Sequence, residues 1–265
     1  MQQSSRAHSV PAQAFGRDGY VRLAANAGSR DWAEAAWARA QERMADPAVR
    51  AAWLRCEGTW FAGVDLLDNA PNGSVQGVPF AGPAPDLVAA LGLTPAVWHA
   101  AQVSVTYPGY PRPKEGESAG AARYRMTRDA AHVDGLLLEG PARRRILREP
   151  HAFILGIALT ENDPDAAPLV VWPESHRTMG AAFAAAQTEA SSDTCAFDLT
   201  DAYTSARRAV FDRHTRRPVP LARGAAILLH RHMLHGIAPW RAPPVSEGRA
   251  IAYFRPHLDS LAAWF

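Results

Sequence analysis

The chain has almost no lysine: Lys114 is the only one among 28 basic residues, and the others are arginines. That shortage excludes chemistry built on a buried lysine, such as a Schiff base or a phosphate-loop lysine, because Lys114 lies in a Pro- and Gly-rich loop between Tyr107 and Ser118. Cysteine is scarce too. Cys56 and Cys195 are far apart, fit no metal-ligand spacing and can form at most one bridge, so they read as reduced structural thiols. No apolar run reaches the length of a membrane span. The first 21 residues lack the apolar stretch of a secretory leader, and the expected location is the cytoplasm. The net charge of +2 comes from scattered arginines, with local clusters at Arg143-Arg144-Arg145 plus Arg148 and from Arg207 to Arg217. Neither cluster carries interleaved aromatics, so no nucleic-acid partner is expected.

What is present is an ordinary globular composition, 48% hydrophobic and 20% charged, in a chain long enough for one substantial core. Trp32, Ala36, Ala40 and Met44 recur at helical spacing, which predicts a helix over Ser29 to Met44 that Asp46-Pro47 stops. Residues 58–85 are rich in Gly, Pro and Asn and read as loop with one short strand around Trp60 to Leu67; a second helix is expected over Asp86 to Leu91. Beyond Thr94 the texture changes. Short apolar or β-branched segments at 101–107, 152–160, 168–172, 224–230 and 249–254 alternate with Pro, Gly and Asn turns and read as strands. Helices interrupt them over Ser175 to Glu189, alanine-rich from Ala181 to Ala186, and from about Thr200 to His214. Strands without regular strand–helix alternation favour an antiparallel sandwich or barrel over a doubly wound sheet.

The chemistry rests on His132-Val133-Asp134, a later His235, and Arg249. Alone the first triplet is weak, since the chain holds a second one at His257-Leu258-Asp259; that copy leaves no room for a later histidine and arginine and reads as surface. Residues i and i+2 of an extended segment share a face, so the His132 imidazole and the Asp134 carboxylate can reach one metal. One more histidine completes a 2-His-1-carboxylate set, which leaves three positions of an octahedral iron(II) open. A structural zinc site would instead be closed by four protein ligands, usually thiolates among them.

With these residues the sequence resembles the phytanoyl-CoA dioxygenase-like branch of the iron(II)/2-oxoglutarate-dependent oxygenases. The resemblance runs from about Gln102 to Pro256: the His-x-Asp, then Ala167 to Met179 ending in Pro173-Glu-Ser-His, then Ala222 to Trp240, and last Gly248 to Pro256. It implies a mainly β fold with flanking helices around a double-stranded β-helix (jelly-roll, cupin-like) core. One oxygenase domain over 1–265 is expected, in which residues 1–95 form a helical and loop scaffold packed on a jelly-roll at 96–256. The metal ligands it implies are His132, Asp134 and His235, the last chosen over His230 and His232 because it alone precedes a glycine. Strand alternation from His230 also sets His230 and His232 on the face opposite His235. Arg249 is the implied grip on the far carboxylate of 2-oxoglutarate, with Arg255 in reserve and Arg241 less favoured; a guanidinium holds a carboxylate through two parallel hydrogen bonds.

Gln102 and Thr106, alternating with Ser104, offer a polar strand face toward the co-substrate. Arg123, Arg125 and Arg128 suit either an anionic substrate or a solvated loop. Ser175 and His176 belong to the family's turn, and Trp172 and Trp240 suit a pocket wall or the core. The expected reaction is hydroxylation of a small-molecule substrate by dioxygen, with 2-oxoglutarate converted to succinate and CO2, and the carboxylate at 134 argues against halogenation. Two other classes compete: a cupin-like metal enzyme that does not use 2-oxoglutarate, which has no need of Arg249, and a non-catalytic barrel binding protein. The substrate and the oligomeric state are not legible.

Overall fold

In the computed structural model, which describes residues 10–189, 197–244 and 247–265, two antiparallel sheets face each other and helices cover both outer surfaces. The N-terminal third supplies α1 (Val10–Asp18), β1 (Tyr20–Leu23), α2 (Ala27–Met44), α3 (Pro47–Trp53), β2 (Leu54–Arg55), β3 (Trp60–Leu67) and α4 (Pro83–Ala90). The middle holds β4 (Ala101–Thr106), α5 (Ala119–Arg128), β5 (Leu136–Glu139), β6 (Arg144–Leu147), β7 (Phe153–Ala158) and β8 (Leu169–Val171). Then follow α6 (Ser175–Glu189), β9 (Phe197–Asp198), α7 (Thr200–Arg213), β10 (Arg217–Val219), β11 (Ala226–His230), β12 (His235–Ile237) and β13 (Arg249–Phe254), with a closing 3-10 turn at Ala262–Trp264.

The major sheet has the order β1-β11-β7-β13-β4-β3-β2 and the minor sheet β10-β8-β12; every pairing is antiparallel. This is the jelly-roll with flanking helices that the sequence implied. Period-two alternation decides what each face meets. On β13 and β4 the pairs Ala250–Val105 and Ala252–Val103 face outward into a cluster with Trp32, Ala36 and Ala40 of α2 and Leu87 and Val88 of α4. Their neighbours Arg249–Thr106, Ile251–Ser104 and Tyr253–Gln102 face the minor sheet, where Ile251 packs with Leu169, Val171, Ile227 and Leu229. Behind the minor sheet, Val170 and Trp172 pack on Phe183 of α6 and Tyr203 and Val210 of α7.

Helix α2 starts two residues earlier than its apolar periodicity indicates, because the side chain of Asn26 accepts from the Ser29 N–H while the Asn26 N–H donates to Ser29 Oγ. Asp46-Pro47, read as a stop, is also a start: the Asp46 side chain caps α3, and Pro47 takes its first position. The stretch holding Arg123, Arg125 and Arg128 is a helix, not a loop. It buries no residue of its own, so it left no apolar period to read. The Arg143 cluster lies on and beside a small third sheet, β5-β6-β9, where Arg144 pairs with Asp198 and Arg148 with Glu139. Cys56 is buried and free, whereas Cys195 lies outside the described residues. Among the described residues no helix is long and apolar enough to cross a membrane.

Candidate metal centre

The His132 segment reaches the minor sheet through an isolated bridge, not as part of a named strand: the His132 N–H donates to the His235 carbonyl (2.8 Å) and the His235 N–H to the His132 carbonyl (3.0 Å). Just before it, Asp129 and Ala130 hold positive φ angles of 54° and 52°, a conformation that costs a non-glycine residue energy and needs support from its surroundings. Support comes from the buried Asp129 carboxylate, which accepts two hydrogen bonds from Arg216 at 2.6 and 2.8 Å. Sequence reading missed this pair, and the separation of 87 positions between its members left no local signal for it.

Gly236 explains why the histidine precedes a glycine. A Cβ there would stand 2.2 Å from the Asp129 carbonyl oxygen and 3.2 Å from the Ala131 Cα, so only glycine lets β12 lie against the 129–132 segment. Gly236→Ala is therefore expected to push the two histidines apart, lowering stability by about 1–3 kcal/mol as other overpacked sites do and weakening metal binding. Thermal unfolding and iron(II) titration check it against Gly16→Ala, where an added Cβ meets open space. Iron affinity equal to wild type in Gly236→Ala would refute the packing argument.

The bridge brings three groups together. One ligand atom from each of His132, Asp134 and His235 lies within 4.8 Å of the other two, the only such cluster of metal-ligating side chains among the described residues. Asp134 Oδ1 is 3.1 Å from His132 Nε2 and 3.8 Å from His235 Nε2, and the two rings are 4.6 Å apart. Each imidazole places Nδ1 3.0 Å from a carbonyl two residues earlier, Ala130 for His132 and Met233 for His235. A carbonyl only accepts, so Nδ1 carries the proton and the Nε2 lone pair is left for a metal.

Burial pushes Asp134 upward, but the close contact with His132 and the fields of His235, His132 and Arg255 outweigh it and hold the carboxyl well below its usual range. His235 is pulled down to about 4 by burial and then by His132, which favours the neutral imidazole. For His132, burial works against the charged form, yet contact with Asp134 raises it overall. The cluster opens on one side: the His132 side chain is 42% exposed, against 12% for Asp134 and 8% for His235.

The competing histidines are placed elsewhere, for a different reason than expected. His230 ends β11, residues 231 and 232 form a turn, and β12 begins anew at His235, so alternation counted from His230 does not carry across. His235 faces the barrel interior because it pairs with Val171, which packs there. His232 Nε2 donates to the Trp264 carbonyl at 2.9 Å, and His230 packs against His176 and His232. Ser175 is buried and donates the hydrogen of its Oγ to the Met233 sulfur while accepting from the Leu234 N–H, which ties α6 to the approach of His235. Arg125 pairs with Glu117, and Arg128 lies over the Phe211 ring. His257 is exposed, and Trp172 packs in the core behind the minor sheet.

Arg249 opens β13 opposite Thr106 and is only 3% exposed. Its Nη1 and the Thr106 hydroxyl are both buried without a hydrogen-bond partner, and among the described residues no carboxylate lies within ion-pair distance of the guanidinium. A buried charge without a counter-charge is costly, and a ligand carboxylate would complete it. At the other end of the strand, Arg255 donates from Nη1 to Asp134 Oδ2 (3.3 Å) and from Nη2 to Gln102 Oε1. Gln102 thus meets Arg255, six residues along from Arg249.

The jelly-roll brings two imidazoles and one carboxylate together and sets an unpaired, buried arginine on the inner face of the opposite sheet, a donor set that suits a non-haem metal. The sequence profile of the phytanoyl-CoA dioxygenase (PhyH) family matches residues 109–241, half of the chain and all three clustered side chains, and the chain belongs to that family of iron(II)/2-oxoglutarate-dependent oxygenases. No curated protein matches the sequence. Similar solved structures include the non-haem α-ketoglutarate-dependent epimerase SnoN from nogalamycin biosynthesis, at 15% identity and TM-score 0.50 over 95% of this chain and 82% of that one. Others are the carbocyclase SnoK from the same biosynthesis (13%, TM-score 0.49, 96% and 88%) and EctD from S. alaskensis (19%, TM-score 0.43, 91% and 74%). At such identities the likeness concerns the fold alone.

Proposed function

We propose that the chain hydroxylates a small molecule, with His132 Nε2, Asp134 Oδ1 and His235 Nε2 holding iron(II) and Arg249 holding the distal carboxylate of 2-oxoglutarate. The observation that carries the co-substrate is the buried, unpartnered Nη1 of Arg249 beside the unpartnered Thr106 hydroxyl. The profile match ends before Arg249, so this part of the reading stands on geometry and on the strand pattern. When bound, iron and 2-oxoglutarate supply the oxidising chemistry with release of succinate and CO2; the protein's own residues set where it happens. Arg249 and Thr106 would hold one end of the acid, and a metal held by His132, Asp134 and His235 would keep positions open for the keto acid and dioxygen.

A surface groove of about 900 Å³, lined by Val64, Leu93, Val97, His151 and Leu258 among others, adjoins Arg255, but none of His132, Asp134 and His235 lines it. SnoN, with the same fold, is described as an epimerase, so fold does not separate hydroxylation from other outcomes of hydrogen abstraction.

The test is anaerobic addition of iron(II) and 2-oxoglutarate, read by the visible metal-to-ligand charge-transfer band, followed by succinate formation on admitting oxygen. A band and oxygen-dependent succinate are expected. Iron bound without a band would favour a cupin-like metal enzyme that makes no use of the keto acid.

A further inference from the structure

We infer that Arg255 is a positioning residue that keeps Asp134 a one-oxygen ligand and thereby preserves a coordination position for the co-substrate. The inference rests on the metal reading proposed above and concerns the other oxygen of the carboxylate. Oδ1 faces the two imidazole Nε2 atoms at 3.1 and 3.8 Å, whereas Oδ2 lies 3.3 Å from Arg255 Nη1. A carboxylate is free to bind a metal through one oxygen or both. An octahedral ion has six positions; with three taken by His132, Asp134 and His235, a chelating keto acid fills two and dioxygen one. A second Asp134 oxygen on the metal removes one of these.

Arg255 is itself held from several directions, as a residue that fixes another must be. Its second amino group donates to Gln102 Oε1, its backbone N–H donates to His99 Nε2 at 3.0 Å, and its carbonyl accepts from His151 Nδ1 at 3.2 Å. Pro256 follows at once and is buried. Strand β13 thus begins with Arg249 and is followed at once by Arg255, their backbones about 20 Å apart at the rise of an extended chain. That separation gives the two different tasks: Arg249 meets no protein carboxylate, and Arg255 is already engaged by Asp134. It removes Arg255 as a substitute grip for 2-oxoglutarate.

The experiment compares wild type, Arg255→Met and Arg255→Lys under anaerobic conditions, reading iron(II) affinity, 2-oxoglutarate affinity from the charge-transfer band, and thermal unfolding. In Arg255→Met iron(II) is expected to bind at least as tightly as in wild type, because Asp134 is free to use both oxygens. 2-Oxoglutarate is expected to bind at least about tenfold more weakly, about 1.4 kcal/mol, because one of the two positions it needs is taken. Arg255→Lys restores a donor to Oδ2 and is expected to recover most of that loss. Should the methionine variant not fold, Arg255→Leu, which also lacks a donor, carries the same readouts. Unchanged 2-oxoglutarate affinity in folded Arg255→Met overturns the inference, as does loss of iron, which would mean that Arg255 holds the ligand in place and does not limit its denticity. Iron bound without a band in wild type defeats the co-substrate reading, and this inference with it.

Discussion

Asp134→Ala is expected to release iron(II) and to abolish oxygen-dependent succinate formation. Asp134 is the only anion among the three clustered groups, and its two oxygens serve two cations: the metal position at Oδ1 and Arg255 at Oδ2. Alanine leaves two neutral imidazoles facing a divalent ion, with the Arg255 guanidinium turned toward the same space and repelling it. Removing one partner of a buried charge pair costs about 3–5 kcal/mol, which is about two to three and a half decades of affinity at 1.4 kcal/mol per decade. Asp134→Asn is the sharper variant, because it keeps shape and hydrogen bonding while deleting the charge. Iron titration by absorption or calorimetry checks both, with His257→Ala, an exposed residue outside the cluster, expected to bind iron as wild type does. Wild-type iron affinity in Asp134→Ala would sink the ligand assignment.

The sequence revealed the site through residue types and order, whereas the packing that makes it work was hidden. Strands β7, β11 and β13 were legible because their apolar runs are buried on both faces or nearly so, and β4 through its valines alternating with polar residues. Helices α6 and α7 were legible at almost the right bounds. Helix α5 was not, since it buries nothing, and β5 was not, since Leu137 and Leu138 stand exposed side by side without alternation. His235, chosen by its glycine, lies in the cluster with His132 and Asp134, whereas the alternation used against His230 and His232 does not apply, because the turn at 231–232 breaks the count. What the glycine does, letting β12 touch Asp129 and Ala131, appears only once residues a hundred positions apart are placed in contact. The tie between Arg255 and Asp134 spans 121 residues and was equally invisible. Alternation did serve on β4, where it set Gln102, Ser104 and Thr106 on one face; it could not tell that Arg249 lies opposite Thr106 and Arg255 beside Gln102.

Arg249→Leu is expected to separate stability from function. In the protein as it stands the guanidinium is 3% exposed, and Nη1 makes no hydrogen bond. Burying a charge without a partner is unfavourable, and replacing such a charge by an apolar group of similar volume is often neutral or stabilising. Without 2-oxoglutarate, then, the leucine variant is expected to melt at or above the wild-type temperature. In its presence the order reverses. The charge-assisted bonds to the distal carboxylate are lost, and truncating one side of a buried hydrogen-bonded charge pair costs about 2–5 kcal/mol, or about one and a half to three and a half decades in 2-oxoglutarate affinity. Iron(II) affinity measured alone stays at the wild-type value, because Arg249 meets none of the three ligands. The signature is threefold: unchanged iron binding, an unligated fold no less stable, and a charge-transfer band that needs far more 2-oxoglutarate to appear. Thermal shift with and without 2-oxoglutarate reads the first half of the split in one experiment, since the ligand-dependent rise in melting temperature should shrink in the variant by the lost binding energy. An Arg249→Leu protein that binds 2-oxoglutarate as wild type does would return Arg249 to a structural role. One that unfolds early would show that the guanidinium is satisfied within the protein, and that the buried positive charge at the head of β13 is not kept for a ligand.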